Sequence, residues 1–326
     1  MKKKKTTISD VAEKAGVSKS TVSQYINQRF RYMSAETKDR IEQVIQELDF
    51  RPNDNARNLK VKKTKVIGIL VANILHTLST EIIRTVEEQL QQHGMKVFIC
   101  DSADDPEKEK EYLDLLVSTQ VDGIIIFPAG NDFKVYNYLI DHSIPMVFVD
   151  RLVDGVTSDS VLLDNHAAIF LAVSMLAEKG HENIAFLTLP IDIPITPRLE
   201  RIEGFKKAMA SHKLEVREDD IHSLPRNQIQ EKLARIFDAE NDLVLREILS
   251  YLKKQKISIP GEVAIVSIDD VAYTEFYEPS ITTIGQPIQQ MGIKTAELLL
   301  NRITNSDQAP YITYRFAPEL IVRSSC

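Results

Sequence analysis

The chain has 326 residues, of which 43% are hydrophobic and 27% charged, with two cysteines and no tryptophan. That composition fits a globular protein of two or three domains and excludes a disordered, fibrous or disulfide-stapled chain. Cys100 and Cys326 have no cysteine or histidine beside them at metal-ligand spacing, no apolar run approaches the ~20 residues of a membrane span, and the residues after Lys5 are polar, unlike a secretory signal. The expectation is a cytoplasmic protein that uses no metal, no cofactor and no membrane. The net charge of -7 hides an asymmetry, because residues 1–65 carry 16 lysines and arginines against 8 acidic residues whereas the remainder carries 24 against 39. A basic head on an acidic body is the pattern of a polyanion-binding module joined to one that stays clear of the polyanion. A run such as Lys2 to Lys5 serves equally as a solubilising tail.

From Thr7 the apolar spacing is helical. Ile8, Val11, Ala12 and Ala15 form one face of a first short helix, Gly16 supplies a turn residue able to take positive φ, and Ser18 caps a second helix with inner face Val22, Tyr25 and Ile26. A third helix starts at the cap Ser34 and buries Ile41, Val44, Ile45 and Leu48, which closes a three-helix core. Two helices meeting through a tight turn make a helix-turn-helix, whose second helix enters the major groove of DNA. It presents Ser18, Lys19, Ser20, Thr21 and Gln24. Lys19 can donate to guanine acceptors and Gln24 can pair with adenine, while the hydroxyls of Ser18 and Thr21 suit phosphate. The spacing alone is also that of a solvated amphipathic helix.

The string T-I-x-D-V-A-x-x-A-G-V-S-x-x-T-V-S, followed by Asn27, resembles the LacI/GalR family of bacterial regulators. Where that family usually carries an arginine after T-V-S this chain has Gln24, and the loop from Gln28 to Met33 is longer, so a relative's operator preference does not transfer. The resemblance continues through Arg51-Pro52-Asn53-Asp54-Asn55-Ala56-Arg57-Asn58-Leu59, which is similar to the family's hinge helix. It implies that Thr7, Asn27, Asn53, Ala56 and Leu59 join the second helix at the operator. The paired hinges of a homodimer would lie over the minor groove, with Leu59 wedged into a base step of a pseudo-palindromic site. With Lys60, Lys62, Lys63 and Lys65 following, the same stretch also reads as a polar linker. The expected domains are a helix-turn-helix over 1–52, a hinge helix and linker over 53–65, and a two-lobed effector-binding and dimerisation domain over 66–326.

In the body, short apolar strands alternate with amphipathic helices. V-I-G-I-L-V-A, a helix from Ser79 to Gly94, V-F-I-C-D, a helix from Pro106 to Gln120, G-I-I-I-F and P-M-V-F-V-D make a first run. Helices from His166 to Gly180, Arg198 to Ser211 and Asp242 to Lys256, interleaved with I-A-F-L-T-L, A-R-I-F-D and V-A-I-V-S-I, make a second. Such alternation predicts parallel βαβ units, and the two runs resemble a periplasmic-binding-protein-like body of two doubly wound lobes. In open α/β sheets ligands bind beyond the carboxyl ends of strands, where Asp150, Asn241, Asp242, Asp269 and Asp270 fall. Asp and Asn also favour such junctions as caps and turns. The resemblance implies that Asp150, Arg201, Asn241, Asp269 and Gln286 are effector contacts, with Ser79 at the pocket edge.

An arginine fork and carboxylates suit a hydroxyl-rich ligand such as a sugar, a sugar acid or a nucleoside-like molecule. Arg151, beside Asp150, favours an acid if it faces the pocket, and its sequence position suits a surface residue as well. Between Ser211 and Glu240 the chain departs from the family pattern. Enzyme chemistry has no motif here: G-x-G-x-x-G and G-x-x-x-x-G-K-S/T are absent, and His76, His166 and His181 are scattered. The function expected is a sequence-specific transcriptional regulator, a repressor of carbohydrate or sugar-acid utilisation. Regulation through a phosphoprotein corepressor or by a purine or nucleoside are the alternatives.

Overall fold

The computed structural model of the chain describes residues 7–26, 30, 33–48, 63–225, 242–305 and 309–326. Two compact units result, Met1–Thr64 and Lys65–Cys326. Among the described residues the first contains three helices, α1 (Ile8–Lys14), α2 (Lys19–Ile26) and α3 (Ala35–Glu47). Thr7 and Asp10 close a reciprocal capping box at the start of α1, Gly16 turns the chain with φ +63°, and Ser18 and Ser34 cap α2 and α3 by accepting from the N–H groups of Thr21 and Thr37. Val11, Ala12, Ala15, Val22, Ile41 and Val44 are buried together, flanked by Ile8, Tyr25, Ile26, Ile45 and Leu48. The core expected from spacing is therefore the one that forms.

The larger unit is built on a six-stranded, all-parallel sheet in the order β10-β5-β4-β3-β1-β2, with β1 (Val66–Val71), β2 (Lys96–Asp101), β3 (Gly123–Ile126), β4 (Met146–Val149), β5 (Asp159–Leu163) and β10 (Thr313–Phe316). Successive side chains of a strand point to opposite faces, and over the inner strands β1, β3, β4 and β5 both faces are covered. Ile67, Ile69 and Val71 of β1 pack under α4 (Thr77–Gln92) and α11 (Ile288–Asn305), while Leu70 joins Leu113 and Leu116 of α5 (Pro106–Ser118) on the other side. Between α5 and β4 the chain also forms the short α6 (Asn137–Asp141). The second lobe holds the parallel pair β6 (Phe186–Thr188) and β7 (Ile221–Ser223), and a sheet β11-β9-β8 of β8 (Val266–Ile268), β9 (Thr282–Gly285) and the antiparallel β11 (Glu319–Ile321). Around these pack α7 (Asn165–Glu178), α8 (Thr196–Ser211), α9 (Asp242–Gln255) and the short α10 (Ala272–Phe276).

The two lobes are not simple consecutive halves. The chain leaves the first lobe after β5, returns after β9 so that α11 and β10 complete the first lobe, and crosses again between Phe316 and Glu319 to add β11 to the second. The helices α4, α7 and α8 begin one or two residues before the positions that apolar spacing picks out, because their first turns are polar or proline-bearing. The expected strand A-R-I-F-D lies outside the described residues, as do the hinge positions.

The packing of α4 on α11 is close enough to require Gly292, since a Cβ there would stand 2.6 Å from the Cβ of Thr85. Gly292→Val is expected to destabilise the body by about 1–3 kcal/mol through overpacking. A urea unfolding midpoint equal to that of the wild type would show that the two helices separate freely.

Candidate DNA-binding helix and effector cleft

In the smaller unit Ser18, Lys19, Ser20 and Gln24 are exposed and Thr21 is partly so, while Val22 on the opposite face is wholly buried. The α2 surface thus offers an ammonium, an amide and hydroxyls on a rigid helix. Ser18 is only partly available, because its Oγ accepts the Thr21 N–H at 3.1 Å and hydrogen-bonds the Thr21 hydroxyl at 2.9 Å. Thr7 is exposed but engaged with Asp10. Lys14 of α1 pairs with Glu47 of α3 at 2.7 Å on the surface, and the buried core beneath holds the frame that carries α2. Asn27, Asn53, Ala56 and Leu59 lie outside the described residues.

In the larger unit one cleft is lined by Ser79, Asp150, Arg201, Asp269 and Gln286 together. Of the predicted effector residues only Asn241 falls outside the described chain. Asp150 follows β4 and Asp269 follows β8, and both hold positive φ, +68° and +75°. In each lobe the backbone N–H of that aspartate donates to the strand alongside, Asp150 to the Val161 carbonyl at 2.9 Å and Asp269 to that of Ile284 at 3.0 Å. The left-handed region is uncommon for any residue but glycine, and such conformations gather at functional sites. Gln286, just past β9, donates to Asp269 Oδ1 at 2.6 Å, and its own Oε1 is buried and accepts no hydrogen bond.

Arg201 is 5% exposed on α8 and donates through Nε to Asn165 Oδ1 at 2.9 Å. Asn165 in turn donates to Glu200, whose carboxylate receives both terminal nitrogens of Arg315 from β10, at 2.9 and 2.6 Å. Arg151 is not a surface residue. It lines the cleft with its side chain 11% exposed, donates to the Pro128 carbonyl at 2.8 Å, and has Asp150 and Asp104 at 3.5 and 3.7 Å. Arg198, one turn before Arg201, also lines the cleft and donates to the Pro190 carbonyl at 2.6 Å. Sequence reasoning passed over Arg198, although its i to i+3 spacing from Arg201 places both on one helix face. Among the described residues that line the cleft, Phe127, directly after β3, supplies a phenyl ring.

Behind that wall lies Glu109, 2% exposed, which accepts the Ala129 N–H at 2.6 Å and the Tyr136 hydroxyl. It thereby ties down the segment after β3 that brings Phe127 and the Pro128 carbonyl to the cleft. Burial pushes the Glu109 carboxyl above its ordinary range, against the opposing pull of Tyr136, the backbone of Ala129 and Gly130, and Arg151.

A helix-turn-helix module and a two-lobed α/β body with a polar cleft define a DNA-binding regulator that senses a small molecule. The comparisons with known proteins agree. Residues 7–53 match the bacterial regulatory proteins of the lacI family, and residues 173–326 match a periplasmic binding protein-like domain. Over 313 residues the chain is 40% identical to the probable HTH-type transcriptional regulator EndR of Paenibacillus polymyxa, covering 93% of this chain and 92% of that protein. A LacI-family transcriptional regulator of Enterococcus faecium, solved with bound ribose, superposes with a TM-score of 0.71 at 28% identity over 80% of this chain and 98% of that one. The lac repressor dimer bound to operator and the anti-inducer ONPF has the same fold, with a TM-score of 0.83 at 23% identity over 99% of each chain. The chain belongs to the LacI family of bacterial regulatory proteins and is a DNA-binding transcriptional regulator.

Glu109 gives this body a titration of defined sign. A carboxyl whose folded-state pKa is raised contributes stability that is fully present below the unfolded value and is lost as pH rises through the folded one. Glu109→Gln keeps an acceptor for the Ala129 N–H, turns the Tyr136 hydroxyl from donor to acceptor of the new amide, and removes the charge. Urea unfolding at pH 5 and pH 8 is expected to move the stability difference in favour of the variant at the higher pH. Parallel profiles for the two proteins would place the carboxyl at its ordinary value.

Proposed function

We propose that the protein acts in the cytoplasm as a homodimeric repressor of genes for the use of a carbohydrate or sugar acid, with a small hydroxylated effector in the cleft setting its affinity for a pseudo-palindromic operator. The observation that carries this reading is the cleft itself, where five side chains from separate strand ends and helices converge with an arginine fork, two carboxylates and an amide. Such a set pairs with adjacent hydroxyls, and it favours a small molecule over a phosphoprotein as the signal. The E. faecium relative holds a sugar, and the lac repressor binds operator as a dimer. The open volume of the cleft is about 50 Å³, room for a few water molecules, so an effector enters as its walls part. Movement of the lobes is then available to change the approach of two hinges in a dimer.

Two outcomes follow. Arg201→Ala removes a buried, hydrogen-bonded charge from the ligand, and the affinity for an effector found by thermal-shift screening of sugars and sugar acids is expected to fall at least about 30-fold, within the range for such truncations. An unchanged affinity would place the effector elsewhere. Leu59→Ala is expected to weaken operator binding by about tenfold or more, the scale of one lost specific contact, with little change on random DNA. Competition titrations at several salt concentrations check this, and an unaltered operator-to-random ratio would make residues 53–65 a plain linker.

A further inference from the structure

We propose that Thr196 is a latch between the lobes, its hydroxyl meeting both backbone groups of Leu152 so that the cleft stays shut until that contact is released. Thr196 is the first residue of α8, which packs into the core of the second lobe through Phe205, Ala208 and Met209, whereas Leu152 follows β4 of the first. The Leu152 N–H donates to Thr196 Oγ1 at 2.9 Å, and the same hydroxyl reaches the Leu152 carbonyl at 3.5 Å. Sequence neighbours of both residues line the cleft, Asp150 and Arg151 on one side and Ile195, Pro197 and Arg198 on the other. The contact is therefore a place where the two walls meet. With about 50 Å³ open between those walls, a sugar-sized molecule enters only as α8 draws away from Leu152.

The backbone of the first lobe is shaped for this partner. Asp150 makes the last ladder bond of β4, to Val161, and takes φ +68°, after which the Arg151 N–H turns back to the Val149 carbonyl at 2.8 Å. The turn leads the N–H and carbonyl of Leu152 out of the sheet and toward α8. A residue held in the left-handed region signals a constraint, and here the constraint presents a main-chain donor and acceptor to the other lobe. Each lobe has its own buried core, so neither core is built on the contact, and water can take over both groups when it parts. The other contact that α8 makes with the first lobe is the pairing of Glu200 with Arg315 at 2.9 and 2.6 Å. Glu200 lies four residues on, on the same helix face as Thr196, and next to the crossing segments at 163–165 and 316–319. That part of α8 stays by the pivot. Thr196, about 6 Å away along the helix axis, is at the end that swings.

The latch is a property of the lobes, while its bearing on a signal rests on the cleft being the effector site, and the test reads the two separately. Spin labels at Lys110→Cys in α5 and Lys206→Cys in α8, both exposed, report the distance between the lobes by pulsed electron resonance. The full chain carries Cys326→Ser, since Cys100 is buried and Cys326 is not, and labelled chains are diluted into an excess of unlabelled ones so that pairs within one chain dominate. Thr196→Val keeps the side-chain shape and removes the hydroxyl. It is expected to raise the ratio of displaced to shut distances about fivefold, the worth of one hydrogen bond, while Thr196→Ser matches the parent; circular dichroism reports that both variants are folded. An unchanged distribution in Thr196→Val overturns the latch. So does a Thr196→Ser variant that opens as far as Thr196→Val, because the methyl group rather than the hydroxyl would then hold the lobes. Thermal-shift screening of the parent against sugars and sugar acids addresses the site: if none binds while Thr196→Val opens as expected, the latch stands and the effector reading falls. A compound that binds is expected to associate about fivefold faster with Thr196→Val, in proportion to the open fraction, and an equal rate overturns the latch as a gate to the cleft.

Discussion

The guanidinium of Arg201 is a charge that the fold removes from water, and much of the cleft is arranged around that cost. A buried ion is tolerated when hydrogen bonds and countercharges surround it, and removing one partner is more damaging than replacing the whole set. Here the support passes outward from Arg201 to the amide of Asn165, on to Glu200, and then to Arg315 in a strand of the other lobe. Asn165 stands where the chain first leaves the β4–β5 edge for the second lobe, so the residue that orients the arginine also belongs to the joint between lobes. The cleft wall and the joint between the lobes therefore share side chains.

Three chain segments cross that joint. Each lobe has its own buried core, with Ile67, Val71, Leu299 and Ile303 in one and Phe186, Phe205, Ile268 and Ile284 in the other. The strands between them pass at 163–165, 285–288 and 316–319. Gln286 lies in the second of these, bonded to Asp269 of the second lobe while α11 beyond it packs on the first. A ligand that engages Gln286 Oε1 therefore touches a crossing strand directly.

Much of this was legible in the residues. The helical spacing of Ile8, Val11, Ala12 and Ala15, followed by Gly16 and the cap Ser18, is local chemistry, and local chemistry decides the head. The carboxyl ends of strands mark Asp150 and Asp269 for the same reason, because a strand-to-helix turn is built from neighbours in sequence. What spacing could not reveal is long-range. The return of α11 and β10 to the first lobe is set by which sheet edge their apolar faces cover. The burial of Arg151 depends on Pro128, more than twenty residues away in sequence, and that of Glu109 on Ala129 and Tyr136. Nothing near Glu109 in the sequence distinguishes it from the exposed acids of the same helix.

The backbone at Asp150 and Asp269 bears on how such a receptor diversifies. With φ at +68° and +75°, these two positions accept Asp, Asn or Gly at modest cost and penalise branched or bulky replacements. Arg151 and Arg198 carry no such restriction, since neither has a positive φ. Point mutations can thus rewrite the cationic part of the wall while the two aspartates stay as they are. If the cleft takes the effector as proposed, the backbone leaves 151 and 198 open to changes of ligand preference, with 150 and 269 as the inherited frame on which each new specificity is tried.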